Sequence, residues 1–183
     1  MKVINTPISG LKVIEPKVFG DDRGFFLETY SEGKYCKELG IDVRFVQDNH
    51  SRSAKGVLRG LHLQLKYPQG KLVRVVRGCV YDVAVDLRID SSTFGQWFGV
   101  ELSEENKCQF WIPPGFAHGF YVLSELADFE YKCTDYYHPE FEQTIIWNDP
   151  SLAINWPDGS KILSQKDLRG KTLQEYTTSI QEL

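Results

Sequence analysis

"GVLRGLHLQ", residues 56–64, is the stretch on which the reading of the fold turns. On a regular strand Leu61 and Leu63 point one way, while Gly60, His62 and Gln64 point the other. With the leucines in a core, His62 must line either a cavity or the solvent. A lone strand histidine is more often a satisfied polar group than a reactive one, so the surrounding sequence has to decide.

Working outward, period-two runs dominate. "KLVRVVRG" (71–78) and "CVYDVAVDLR" (79–88) alternate, and Tyr81, Val83, Val85 and Leu87 share a face. Further strands are expected in "GFFLETY" (24–30), "VRFVQDNH" (43–50), from Cys108 into "FWIPPG", and in "HGFYVLS" (118–124), "DFEYKCTDYY" (128–137) and "QTIIW" (143–147). "SEGKYCKELG" (31–40) predicts one early helix, with Ser31 as N-cap and Gly40 past its last turn, and "LSQKDL" a second short one. Many strands and few helices predict an all-β sandwich or barrel. The expectation is a single domain over residues 1–183, with an irregular tail after Trp156 packed across the barrel.

Composition narrows the function. The 183 residues are 42% hydrophobic and 25% charged, which suits one folded core and argues against disorder. A formal charge of −4 opposes a broad nucleic-acid surface, though local arginines can still hold a small anion. Cys36, Cys79, Cys108 and Cys133 form no CxxC pair and read as scattered thiols of a reducing compartment. Neither a secretion signal nor a run of about 18 apolar residues is seen, so a cytoplasmic location without membrane contact is expected.

"PPGFAHGF" (113–120) places a second histidine, His118, after a Pro/Gly turn and before a strand. Here the chain resembles the cupin superfamily, jelly-roll barrels that hold metal ligands inside. Gly56, His62, Gln64, Lys71 and Gly78 occupy the first cupin motif with a slightly long spacer; Pro113, Gly115 and His118 occupy the second, with Val122 ending it. Two ligand positions carry an amide and an ammonium, and a protonated lysine has no lone pair to offer a cation. The resemblance therefore implies a metal-free barrel in which Lys71 supplies positive charge for a phosphate or a developing enolate.

Over nearly its whole length the chain resembles a narrower group, the dTDP-4-dehydrorhamnose 3,5-epimerase family. The matching blocks are "FGDDRGFFLETY" (19–30), "FVQDNHSRSAKGVLRGLHLQ" (45–64), "PQGKLVRVVRGCVYDVAVDLR" (68–88), "FWIPPGFAHGFYVLSE" (110–125), "YKCTDYYHPEFE" (131–142), "IIWNDPSLAINWP" (146–157) and "LSQKD" (163–167). The resemblance implies cofactor-independent epimerisation of a dTDP-4-keto-6-deoxysugar at C3 and C5, both carbons flanking the C4 ketone. It implies His62 as base, Asp167 as the carboxylate orienting it, Lys71 aimed at the ketone oxygen and Tyr131 as acid on the opposite face. Arg23 and Arg59 are implied as diphosphate ligands, Phe26 and Glu28 as thymidine contacts, and Gln47 and Asn49 as groups orienting nucleotide or sugar oxygens. Tyr137 is implied near the base, and His118 as an inward substrate contact. Arg59 and His62 differ in parity, so a twist or bulge beside Gly60 is required to bring both into one pocket. A homodimer is expected, with Arg23, Phe26 and Glu28 serving the neighbouring subunit. The competing readings are a metal-dependent cupin, a single-centre epimerase, a non-catalytic nucleotide-sugar binding module and a purely structural jelly roll.

Overall fold

Alternation along the strands builds two antiparallel sheets whose inner faces meet. The computed structural model describes residues 1–181, so the last two residues of the expected 1–183 domain lie outside those described. One sheet comprises β1 (Lys2–Asn5), β2 (Lys12–Glu15), β10 (Gln109–Ile112), β7 (Lys71–Arg77), β12 (Leu126–Cys133) and β5 (Gln47–Ala54), in that spatial order. The other is ordered β13 (Glu142–Thr144), β6 (Leu58–Gln64), β11 (Phe116–Val122), β8 (Cys79–Asp86) and β9 (Trp97–Ser103). A separate hairpin joins β3 (Val18–Asp21) and β4 (Gly24–Leu27). This is the expected all-β jelly roll with short peripheral helices.

Three apolar layers hold it. Val73, Val75, Phe110 and Phe129 of the first sheet meet Val80, Ala84, Phe120 and Val122 of the second. Phe120 and Phe129 stack with centroids 4.2 Å apart, and each buried side chain of this size contributes about 2 kcal/mol. On the outer face of the second sheet, Leu61, Leu63, Val83 and Val85 pack under Ile145, Leu152 and Tyr176. On the outer face of the first, Ile14, Leu72 and Trp111 pack under Tyr35 and Leu39 of α1 (Glu32–Leu39). Leu61 and Leu63 thus belong to an outer layer, and His62 faces inward.

Some local readings are corrected. Ser31 sits at the N-cap of α1 but its hydroxyl makes no capping bond, whereas Gly40 ends the helix as expected at φ 65°. Strand β5 begins at Gln47 rather than Val43, because its ladder with β12 starts at Gln47↔Cys133, while Val43 and Phe45 pack with the α1 layer. The tail is more ordered than read. It forms α2 (Gln165–Leu168) and α3 (Leu173–Gln181), the latter opened by a reciprocal cap. In that cap Glu175 accepts from the Thr172 amide at 2.7 Å, and the Thr172 hydroxyl accepts from the Glu175 amide.

The required bulge is present. His118 pairs with His62 and Phe120 with Arg59, so two residues of β6, Gly60 and Leu61, oppose Gly119 alone. Gly60 is therefore not the regular same-face neighbour of His62; Arg59 takes that side. The strands approach so closely that a Cβ on Gly119 would lie 2.5 Å from the Arg59 carbonyl oxygen, and one on Gly60 2.6 Å from Gly119 Cα. Gly119→Ala is expected to cost about 1–3 kcal/mol by overpacking. A denaturant melt that moves by less than about 0.5 kcal/mol would contradict this contact.

Candidate active site

The space between the sheets opens into a cavity of about 750 Å³. Its walls carry Gln47, Asn49, Arg59, His62, Lys71, His118, Tyr131, Tyr137 and Asp167. The fold thereby gathers nine of the twelve residues singled out from sequence. Arg23, Phe26 and Glu28 are elsewhere. Arg23 pairs with Asp21 on the hairpin, Phe26 is 70% exposed, and Glu28 holds Lys34 at 2.9 Å. Within one chain these three do not reach the cavity.

His62 stands on β6, and its Nε2 lies 2.6 Å from Asp167 Oδ1. The other Asp167 oxygen accepts from the Ser164 hydroxyl at 2.8 Å, and that hydroxyl also accepts the Asp167 amide, capping α2. Burial works to raise the Asp167 carboxyl. Hydrogen bonds from His62 and Ser164 and the charges of His62 and Lys166 outweigh it, and its pKa falls below the ordinary value. The carboxylate is thus held ionised beside the imidazole.

A second pair, which the sequence reading did not find, lies alongside. His118 Nε2 sits 3.0 and 2.9 Å from the two oxygens of Asp82, and Asp82 is fully buried. The signal was available. On β8 the face opposite Tyr81 and Val83 carries Asp82 between Val80 and Ala84, a carboxylate where apolar alternation predicts an aliphatic. Burial lowers the His118 pKa, and the Asp82 charge and hydrogen bond only partly oppose this.

The facing sheet supplies the remaining groups. Lys71 on β7 pairs in register with Cys133, two residues beyond Tyr131 on β12, and its ammonium lies 5.9 Å from the Tyr131 ring. Burial lowers the Lys71 pKa, with Cys133, Glu142 and Asp82 pulling the other way. Burial also pushes the Tyr131 phenol up to about 12, so it is protonated at neutral pH. At the mouth, Gln47 Nε2 donates to Asn49 Oδ1 at 3.1 Å and Gln47 Oε1 accepts the Tyr137 amide at 2.9 Å. Glu142, also missed from sequence, accepts from the Tyr137 hydroxyl at 3.1 Å and from Lys166 at 2.9 Å.

The donor set does not fit a metal. Gln64 donates to the carbonyls of Tyr67 and Tyr136 and accepts the His138 amide, so its amide staples loops. Lys71 presents an ammonium, and His62 and His118 each engage a carboxylate through Nε2. Among the described residues no group of three or more His, Cys, Asp or Glu is placed to hold an ion.

A solved structure from Legionella pneumophila, a dTDP-6-deoxy-D-glucose-3,5-epimerase in complex with dTDP-4-keto-L-rhamnose, superposes with a TM-score of 0.93 at 63% identity. The match covers 94% of this chain and 93% of that one. Fold and likeness together place the protein among the cupin-type jelly-roll epimerases. A family model described as dTDP-4-dehydrorhamnose 3,5-epimerase matches residues 5–175. The dTDP-4-dehydrorhamnose 3,5-epimerase of Escherichia coli K12 is 58% identical over 177 residues, covering 96% of both chains. That of Pseudomonas aeruginosa is 57% identical over 176 residues, covering 96% of this chain and 97% of its own. The chain belongs to the dTDP-4-dehydrorhamnose 3,5-epimerase family.

A histidine whose folded pKa is depressed contributes stability that is complete above its ordinary value of 6.5 and is lost as pH falls through the folded value. His118 is therefore expected to remain neutral, with its proton on Nε2, at pH 6.5. Nitrogen-15 NMR showing an imidazolium there would contradict the assignment.

Proposed function

We propose that the protein epimerises dTDP-4-dehydro-6-deoxy-D-glucose at C3 and C5 to dTDP-4-dehydro-L-rhamnose through enolates, using His62 as base and Tyr131 as opposite-face acid. One observation carries this reading: His62 and Tyr131 rise into a single cavity from facing sheets, with Lys71 on the tyrosine's side. A flat enolate between such walls can lose a proton to one and regain it from the other, which inverts the carbon.

The proton inventory closes. A neutral His62 that donates its Nε2 proton to Asp167 keeps a lone pair on Nδ1, and this takes the proton from the carbon beside the ketone. The C–H electron pair moves into the ring and onto O4. The Lys71 ammonium faces that developing charge, and such a donor contributes about 3 kcal/mol in an enclosed site. Asp167 stabilises the imidazolium as the aspartate of a Ser-His-Asp triad does. The Tyr131 hydroxyl delivers a proton to the other face, and water then resets both groups. No redox step is involved.

Around this centre Arg59 is read as a diphosphate ligand, its guanidinium suited to forking onto phosphate oxygens. Gln47 and Asn49 orient nucleotide or sugar oxygens, Tyr137 lies beside the base, and His118, kept neutral by burial, contacts the sugar. Arg23, Phe26 and Glu28 act in trans. In a homodimer the exposed hairpin crosses to the neighbouring subunit, which covers its apolar residues and brings these three to the partner's nucleotide.

Two experiments test the chemistry. In D₂O the wild type is expected to wash deuterium into both C3 and C5. His62→Ala should abolish exchange at both, and Tyr131→Phe should slow completion of at least one inversion more than the initial proton loss. Full activity in either variant removes its assigned role, and label at C3 alone would point to a single-centre epimerase. Lys71, with its pKa lowered, loses its charge as pH rises, at a point below the free-lysine value of 10.5. The alkaline limb of kcat should accordingly lie below that pH, and Lys71→Arg should push it upward while lowering kcat. Tyr131, near 12, titrates too high to set this limb. A limb that the arginine leaves unmoved would refute the lysine assignment.

A further inference from the structure

We propose that Ser53 is a positioning residue for the diphosphate contact: it holds the Arg59 guanidinium by its Nε–H and leaves both terminal nitrogens free for phosphate. This rests on the reading of Arg59 as a diphosphate ligand.

Ser53 lies on the inner face of β5 and is 5% exposed. Its hydroxyl oxygen accepts from Arg59 Nε at 3.0 Å, across from one sheet to the other. The choice of partner matters. Arg52, Arg74 and Arg88 are each held by a carboxylate, from Asp128, Glu130 and Asp86 respectively. A carboxylate fixes a guanidinium but cancels its charge. A serine oxygen fixes it and leaves the charge whole for an incoming dianion.

The geometry also selects which edge of the guanidinium is presented. With Nε–H committed to Ser53, the remaining pair is the end-on fork of Nη1 and Nη2, which matches two oxygens of one phosphate or of adjacent phosphates. A long arginine left free in a cavity of this size would have to be ordered on every binding event, and the serine removes part of that ordering cost beforehand. Neither the bulge nor the cavity wall alone does this, since they set the direction of the side chain and not the rotation of its plane.

Calorimetric titration with dTDP at fixed ionic strength tests the inference, using Ser53→Ala, Ser53→Cys, Ser53→Thr, Arg59→Ala and the Arg59→Ala/Ser53→Ala double variant. The alanine and cysteine variants should each weaken dTDP about fivefold, since cysteine keeps the volume but is a poor acceptor. Threonine, which keeps the hydroxyl, should restore most of the affinity. In the Arg59→Ala background Ser53→Ala should add nothing, and thymidine, which lacks phosphate, should bind all single variants alike. Losses that multiply in the double variant, or a change under about twofold in Ser53→Ala while Arg59→Ala binds weakly, would overturn the role of Ser53. Unchanged dTDP affinity in Arg59→Ala would instead overturn the reading of Arg59 itself.

Discussion

Two glycines in contact set the geometry of everything inside the barrel. Gly60 and Gly119 let β6 and β11 approach until no side chain fits between them, and the extra residue on β6 turns Arg59 to the same side as His62. Without that slip the cation would face outward and the imidazole inward. The proposed anion contact and the proposed base owe their shared cavity to a backbone event rather than to either side chain.

The interior tolerates charge because each group inside it is answered differently. Asp167 and Asp82 each face an imidazole at hydrogen-bond distance, and Ser164 further holds Asp167. Lys71 is the exception. Burial lowers its pKa, and among the described residues no carboxylate lies within ion-pair distance of it. An ammonium in that state gains most from an anion that forms only during reaction, which is why the proposed mechanism sets it against the enolate rather than the ketone.

Much of this was legible in the sequence. The two long alternating runs gave β7 and β8, and the parity conflict between Arg59 and His62 announced the bulge before it was seen. Strand β5 was misplaced because its inner face is the polar wall Gln47, Asn49, Ser51 and Ser53, and apolar periodicity is silent where a strand lines a polar cavity. Helix α3 was missed although "TLQE" (172–175) carries its capping signal. Asp82 is inconspicuous in the sequence because the apolar alternation of β8 runs through Tyr81, Val83 and Val85 on its other face. The pairing of His62 with Asp167 could come only from family resemblance, since 105 residues separate them and no local pattern links a barrel strand to a tail helix.

The tail does more than cover Leu61 and Leu63. It also brings the Asp167 carboxylate to His62, so the outer cover and the partner of this cavity histidine come from the same late segment. During synthesis every strand of the barrel leaves the ribosome before that residue does. A nascent chain therefore carries His62, Lys71 and Tyr131 before the residue that anchors the imidazole has been made. Until the tail docks, Leu61 and Leu63 lie bare on the outer face of the second sheet, so their cover and the partner of His62 arrive together.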